Sequence, residues 1–377
     1  MSEYYIGLMS GTSLDGIDAG ILDLSPRPRT VHFIYRPFDE ATKNRIRHLS
    51  APEKRLALSD YGRLDAHLGL LFSEAVNTLL DAAGIAARDI RGIGSHGQTM
   101  HHAPTGPNPF SLQIGDPNVI AENTGITTVA DFRRRDIAAG GHGAPLVPAF
   151  HQAVFSHTQE NRVILNIGGI ANVTILPRNP GSAIGGFDTG PGNTLMDQWI
   201  FKTRGISYDK QGSWAKSGKI LPEIVTHLKQ DPYFSSPPPK STGREYFSLA
   251  WLDRQDPLQN RSFRSEDIQA SLCALTAETV CEAIARHAPE TDRILVCGGG
   301  SHNDYLLQLI RERLPCPVAT TEEFGIHPDQ VEAMAFAWLA KQTLTGAPGN
   351  VIEVTGAKAP VILGGIYPGK YGLYGKR

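Results

Sequence analysis

Cysteine is scarce in this chain and falls in no redox or zinc spacing. Cys273, Cys281, Cys297 and Cys316 are the only four among 377 residues, and none forms a C-x-x-C pair. That argues against a disulfide framework and for buried, reduced thiols. Charge of one sign is also lacking. Lys and Arg number 36 against 38 Asp and Glu, a net charge of -2, so no basic excess calls for nucleic acid or an anionic membrane surface. No apolar run approaches the roughly 18 residues of a membrane span. Met1-Ser2-Glu3 leads straight into a strand-like run, without the basic start and apolar stretch of a secretory leader, so a cytoplasmic location is expected. Three signatures are missing as well. No Gly-Lys-Ser/Thr ends a Walker loop, no Rossmann fingerprint follows a strand, and His96, His101 and His102 match no common metal motif.

What is present suits a globular chain with room for two lobes: 41% hydrophobic and 20% charged residues. Glycine (39) and proline (26) concentrate in short motifs, where they mark turns. Strand-like runs at 4–9, 17–24 and 31–37 precede a helical pattern from Ser59 to Ala83 and a buried run from Ile90 to Ser95. The second half repeats the order. Runs at 162–168, 171–176 and near 182–187 precede a helix near Asn193, a Pro/Ser-rich break at Ser235–Pro239, a long helix from Ser265 to His287 and a buried run Arg293–Cys297. A β-β-β-α…β order that occurs twice predicts a duplicated α/β protein with mixed sheets and a ligand cleft between two lobes. We place the division near residue 130, giving lobes 1–130 and 131–377, with a C-terminal tail that is free to cross back to the first.

Three glycine clusters carry the chemistry. Gly11-Thr12-Ser13-Leu14-Asp15-Gly16-Ile17-Asp18 reads as an Asp-Gly hairpin turn, or as a phosphate loop whose backbone N–H groups and hydroxyls face an anion, with Asp15 a candidate metal ligand. Gly168-Gly169 is a two-residue hairpin tip that pairs with it half a chain away. Gly298-Gly299-Gly300 ends a buried strand, and three glycines in a row suggest close approach of a base or ribose. Asp188, between glycines at a strand end, is placed for a general base, with an N-cap as the plain alternative. Gln98-Thr99 reads as a substrate-contact loop. Asp131-Phe132-Arg133-Arg134-Arg135-Asp136 reads as a salt-bridged turn or an anion contact. Glu332 is either a first-turn helix acid or a cleft-facing carboxylate.

Taken together, Met9-Ser10-Gly11-Thr12-Ser13-Leu14-Asp15-Gly16, Ser95-His96-Gly97-Gln98-Thr99, Leu112-Gln113-Ile114-Gly115-Asp116, Asp131–Asp136, Asn166–Asn172, Phe187–Asn193 and Cys297–Ser301 resemble the anhydro-N-acetylmuramic acid kinases over nearly the whole chain. The resemblance implies a two-lobed, duplicated actin-like ATPase (ribonuclease H-like) fold of the sugar kinase, Hsp70 and actin superfamily. It implies an enzyme that uses ATP and Mg²⁺, opens 1,6-anhydro-N-acetylmuramic acid with water and phosphorylates O6 during cell-wall recycling. By resemblance Asp188 activates the water, residues 11–18 meet the ATP phosphates, and Gly298–Gly300 lie at the nucleotide. Gln98, Thr99, Arg133 and Glu332 fall on the sugar side. The implied partner is a small anhydro amino sugar, not nucleic acid or membrane, and a homodimer is left open. Two positions depart from the pattern: His142 stands where glutamine is expected, and His302 where a basic residue is expected. Another sugar kinase, or a chaperone-like or sugar-sensing ATPase of the superfamily, is the alternative.

Overall fold

A computed structural model describes residues 2–11, 14–26, 28–51, 57–179, 181–255 and 263–371. The chain forms two compact units. The first comprises 1–154, 324–326 and 330–377, and the second 155–323 and 327–329. The division therefore falls at Val154/Phe155 rather than at 130/131. The short helices Phe132–Ala138 and Val147–Phe155 follow strand Thr128–Ala130, and almost all of this stretch stays with the first sheet.

In the first unit, β1 (Tyr4–Ser10), β2 (Gly16–Asp23) and β3 (Arg29–Pro37) form an antiparallel meander. The helix Leu58–Ala83 follows, ended by Gly84 at φ 65°, a left-handed C-terminal stop that glycine adopts without a β-carbon penalty. Then β4 (Ile90–Ala103) lies parallel to β1 on its other side. β5 (Phe110–Ile114) folds back on β4, and β6 (Thr128–Ala130) lies parallel to it.

The second unit repeats this plan. β7 (Arg162–Ile167), β8 (Ile170–Leu176) and β9 (Gly185–Pro191) make the meander. β10 (Arg293–Cys297) lies parallel to β7, and β11 (Val318–Thr320) parallel to β10. The strand order β11-β10-β7-β8-β9 matches β6-β4-β1-β2-β3 of the first unit. In the first unit a last strand, β12 (Gly365–Tyr367), closes the edge against β6. The twofold β-β-β-α…β reading is thus the actual architecture, down to the sheet order.

Each unit has its own core. Ile6, Leu8, Ile17, Ile21, Leu68 and Phe72 form part of the first, and Leu165, Val173, Leu272, Val280, Val296 and Ile310 part of the second. The helix Ser265–His287 is long and apolar enough to cross a membrane, but 78% of its apolar window is buried in the protein; it is the core helix of the second unit.

The helix Val331–Leu344 packs directly on the first sheet. The approach is close because two strand positions are glycine. A β-carbon at Gly7 would lie 1.7 Å from the Ala333 carbonyl oxygen, and one at Gly94 1.9 Å from that of Phe336. Of the four cysteines, all in the second unit, Cys273, Cys281 and Cys297 are buried and Cys316 is half-buried, and all four are free thiols.

Candidate functional site

Asp188 lies inside β9, not at its end, because the strand runs to Pro191. It sits opposite Asn172 in the β8–β9 register, beside a bulge. On its other side the segment after the Pro/Ser-rich break runs along the strand. The Asp188 N–H donates to the Lys240 carbonyl at 3.1 Å, and the Thr242 N–H donates to Asp188 Oδ2 at 3.0 Å. The Tyr233 hydroxyl donates to the Asp188 main-chain oxygen at 2.8 Å. Residues 233–242 therefore clamp the main chain of Asp188 and place one N–H on its half-buried side chain. Burial pushes the carboxyl up to about 6, opposed by the Thr242 N–H and the charge of Lys240. The charge has less water around it than an exposed carboxylate, so its protonated form is favoured.

Lys240 is held beside Asp188 rather than on it. Its ammonium donates to the Tyr233 carbonyl at 3.0 Å and lies 4.6 Å from the Tyr233 ring centroid. Burial and the charge of Arg286 lower its pKa. Sequence reading passed over Tyr233, Lys240 and Thr242. The one available signal was a short polar stretch after three prolines, which reads as a linker until β9 is known to run beside it.

The hairpin tip Gly168-Gly169 is a two-residue turn between β7 and β8. Its carbonyls accept from the N-terminus of the helix Thr194–Arg204. Asn193 N–H donates to Gly168 O at 2.9 Å, and Gly192 and Thr194 donate to Gly169 O at 2.9 and 3.1 Å. These bonds satisfy helix-start N–H groups that otherwise lack partners, and they fix the tip to β9. In the same helix, Asp197 is pushed up to about 7 by burial, against the pull of Arg244.

The triple glycine separates into different roles. Gly298 has φ 78°, and a β-carbon there would lie 2.3 Å from Asn166 Oδ1. One on Gly300 would lie 2.3 Å from Ile167 Cγ2. Two of the three glycines are thus required by packing on the end of β7. Gly299 alone has open space where its side chain would be. The segment is a 3₁₀ turn, Gly299–His302, before the helix Asp304–Arg313. His302 is exposed and bonds Asp329 at 2.7 Å.

In the first unit, the loop after β1 begins at Gly11, whose carbonyl accepts from Leu14 N–H at 3.2 Å; Leu14 has φ 60°. Thr12 and Ser13 lie outside the described residues. Asp15 is exposed, and its carbonyl accepts from Phe38 N–H at 3.0 Å. Gly16 starts β2, where a β-carbon would meet the Arg36 carbonyl at 2.2 Å. Ile17 points into the core, and Asp18 pairs across to Tyr35 in the β2–β3 register. Among the described residues no group of three or more acidic, His or Cys side chains forms a metal cage.

Gln98 and Thr99 belong to strand β4, not to a loop. Gln98 is fully enclosed, and its Oε1 accepts from the Ser10 hydroxyl at 2.7 Å, which ties β4 to the end of β1. Residues 132–138 are a helix instead of a turn, started by Asp131 at φ 62°. Arg133 is therefore directed inward. It donates to His96 Nε2 at 2.8 Å and to the Gly143 carbonyl at 2.8 Å. His96 Nδ1 lies 2.8 Å from the Gly97 carbonyl, which assigns the proton to Nδ1 and leaves Nε2 as the acceptor. Burial and the Arg133 charge drive His96 down to about 3, so it stays neutral. Burial also lowers Arg133 to about 10, while Glu332 supports its charge. Glu332 stands in the first turn of the helix Val331–Leu344. His142 is exposed, and its N–H donates to the Thr355 carbonyl at 2.8 Å.

Comparison with known proteins agrees in fold and family. The solved structure of (R)-2-hydroxyglutaryl-CoA dehydratase component A from Acidaminococcus fermentans superposes with a TM-score of 0.50 over 91% of this chain and 99% of that one, at 13% identity. That likeness concerns the fold alone. The anhydro-N-acetylmuramic acid kinase of Coxiella burnetii (strain Dugway 5J108-111) is 50% identical over 369 residues, covering 98% of each chain. That of Xylella fastidiosa (strain Temecula1) is 47% identical, over 97% of this chain and 96% of the other. The sequence-family model for anhydro-N-acetylmuramic acid kinase matches residues 3–369. The chain belongs to the anhydro-N-acetylmuramic acid kinase family.

Proposed function

We propose that Asp188 is the general base of an ATP-dependent reaction that opens 1,6-anhydro-N-acetylmuramic acid and phosphorylates it. The kinase activity follows from family membership; the residue roles are our reading. The observation that carries them is the Asp188 carboxylate itself. It is half-buried and fixed through its own backbone, with one N–H on Oδ2. Its value near 6 makes it a stronger proton acceptor than an exposed carboxylate while still ionised at neutral pH.

In this reading Asp188 orients a water and takes its proton as the water oxygen bonds to the anomeric carbon. The carbon–O6 bond breaks, and its electron pair stays on O6. O6 bonds to the γ-phosphorus of ATP, and ADP leaves with the pair of the broken phosphoanhydride bond. The proton on Asp188 passes to solvent. We assign the backbone of residues 11–16, with Gly168 and Gly169, to the ATP phosphates, and Gly299 to the nucleotide, because its missing side chain leaves open space. Thr99, Arg133 and Glu332 are assigned to the sugar. Gln98 is assigned to support of that strand, since its side chain is enclosed. Mg²⁺ fits a site with one exposed carboxylate, Asp15, and phosphate oxygens, because this ion keeps waters and needs few protein ligands. When bound it supplies charge neutralisation at the phosphates.

The pH dependence follows with a definite sign. The base works only when ionised, so kcat/KM falls as pH drops through about 6. The Lys240 charge lowers the pKa of Asp188. Lys240→Met is expected to move the acid limb up by roughly half to one pH unit, and Lys240→Arg to restore it. A limb that stays in place in Lys240→Met would remove the lysine from this role.

A further inference from the structure

Arg244 is a charged group of the second unit with no part in the reaction as assigned above. It is exposed and makes no hydrogen bond or ion pair among the described residues. It is nevertheless placed. Its guanidinium lies over the hairpin tip, so that a β-carbon on Gly169 would be 2.3 Å from Nε, 2.7 Å from Nη2 and 2.8 Å from Cζ. Glycine at 169 is what allows the guanidinium to rest there. The opposing charges do not neutralise it. Asp197 attracts it from the helix Thr194–Arg204, but burial holds that carboxyl up to about 7, so much of it is protonated near neutral pH.

Its position along the sheet matters most. Arg244 follows Thr242, whose N–H grips Asp188, by two residues. Gly169 is three residues before Asn172 along the β7–β8 hairpin, and Asn172 is opposite Asp188 across the β8–β9 bulge. At about 3.3 Å per residue the tip stands about 10 Å from the base. The reaction needs a similar span. The base reaches its water over about 3 Å. The water approaches carbon, and O6 approaches phosphorus, over about 3 Å each, with one carbon–oxygen bond between them.

We propose that the Arg244 guanidinium binds the phosphoryl group in transit from ATP to O6, opposite Asp188 along the reaction axis. The proposal rests on Asp188 being the base end of that axis. A planar guanidinium offers paired N–H donors to phosphate oxygens. A donor aimed at charge that spreads over the equatorial oxygens acts mainly in the transition state.

The test is steady-state kinetics of Arg244→Ala and Arg244→Lys, with Asp188→Asn in parallel and guanidinium chloride as a rescue probe. Arg244→Ala should lower kcat by roughly 10²-fold, leave KM for the sugar nearly unchanged, and recover several-fold with added guanidinium. Arg244→Lys should fall between. A rise in KM for the sugar at unchanged kcat would place the guanidinium on the sugar carboxylate and overturn the proposal. Near-normal kcat, or a loss that guanidinium does not relieve, would overturn it too. Because Arg244 is exposed, the variant should keep the wild-type Tm; an unfolded variant would assign the residue to the fold and overturn the proposal. Near-normal turnover of Asp188→Asn beside a guanidinium-rescued Arg244→Ala would instead fault the base assignment and leave the phosphoryl contact standing.

Discussion

Asp188→Asn should lower kcat by roughly 10²–10⁴-fold while ATP still binds nearly as before. The amide keeps the shape of the carboxyl and its place beside the Thr242 N–H, but it cannot take a proton. The same substitution should stabilise the protein at neutral pH. The folded-state value of about 6 lies above the ordinary carboxylate value of 3.8, so the folded state holds the proton more tightly than the unfolded one. Stability from this group is therefore full below about pH 4, lost as pH rises to about 6, and absent at neutral pH. Replacing the carboxylate removes that cost, on the order of 3 kcal/mol. A Tm at pH 7.5 above wild type, with the gain vanishing near pH 4, is the expected result. A lower Tm at pH 7.5 would mean that the carboxylate is better solvated than its half-buried position suggests.

Gly7→Val should be the most damaging substitution in the first sheet. A β-carbon at that position would sit 1.7 Å from the Ala333 carbonyl oxygen and 2.9 Å from the Ala337 nitrogen. Both are helix backbone, which cannot rotate away like the end of a side chain. The helix Val331–Leu344 would have to lift off β1. Overpacking of this kind costs about 3 kcal/mol or more, a fall of roughly 6–12 °C in the Tm of that unit. Because Glu332 stands in the same helix, soluble Gly7→Val protein should also show a raised KM for the sugar. Thermal denaturation by circular dichroism checks the first effect, and a Tm within a degree or two of wild type would contradict the close packing.

The parts of this molecule that sequence made legible are those with local causes. The helix Leu58–Ala83 announces itself by apolar spacing, and Ser265–His287 by its long apolar face. The paired meanders show because strand-turn-strand punctuation by Asp15-Gly16 and Gly168-Gly169 is written within a few residues. What stayed hidden depends on partners far along the chain. Asp188 looked like the end of a strand because β9 is rich in glycine and lacks clear alternation, so nothing local shows that it continues to Pro191. The clamp from Tyr233, Lys240 and Thr242 comes from 45 to 54 residues away. Arg133 read as a turn residue because charged triplets are usually solvated, whereas His96, 37 residues earlier, accepts its N–H groups in the interior. The triple glycine was legible as a demand for close approach, but two of its three members meet β7 rather than a ligand. The division between the units was hidden for the same reason, since the helices Phe132–Ala138 and Val147–Phe155 are grouped almost wholly with the first unit only by tertiary contacts.

The central claim is that one carboxylate couples entry of water to phosphoryl transfer. Product mass, measured for wild type and Asp188→Asn with ATP and the anhydro sugar, tests it most directly. The account predicts a wild-type product that has gained both one water and one phosphoryl group, and for Asp188→Asn the loss of both gains together. A variant product that carries phosphate without the added water, or one formed at nearly the wild-type rate, would contradict it.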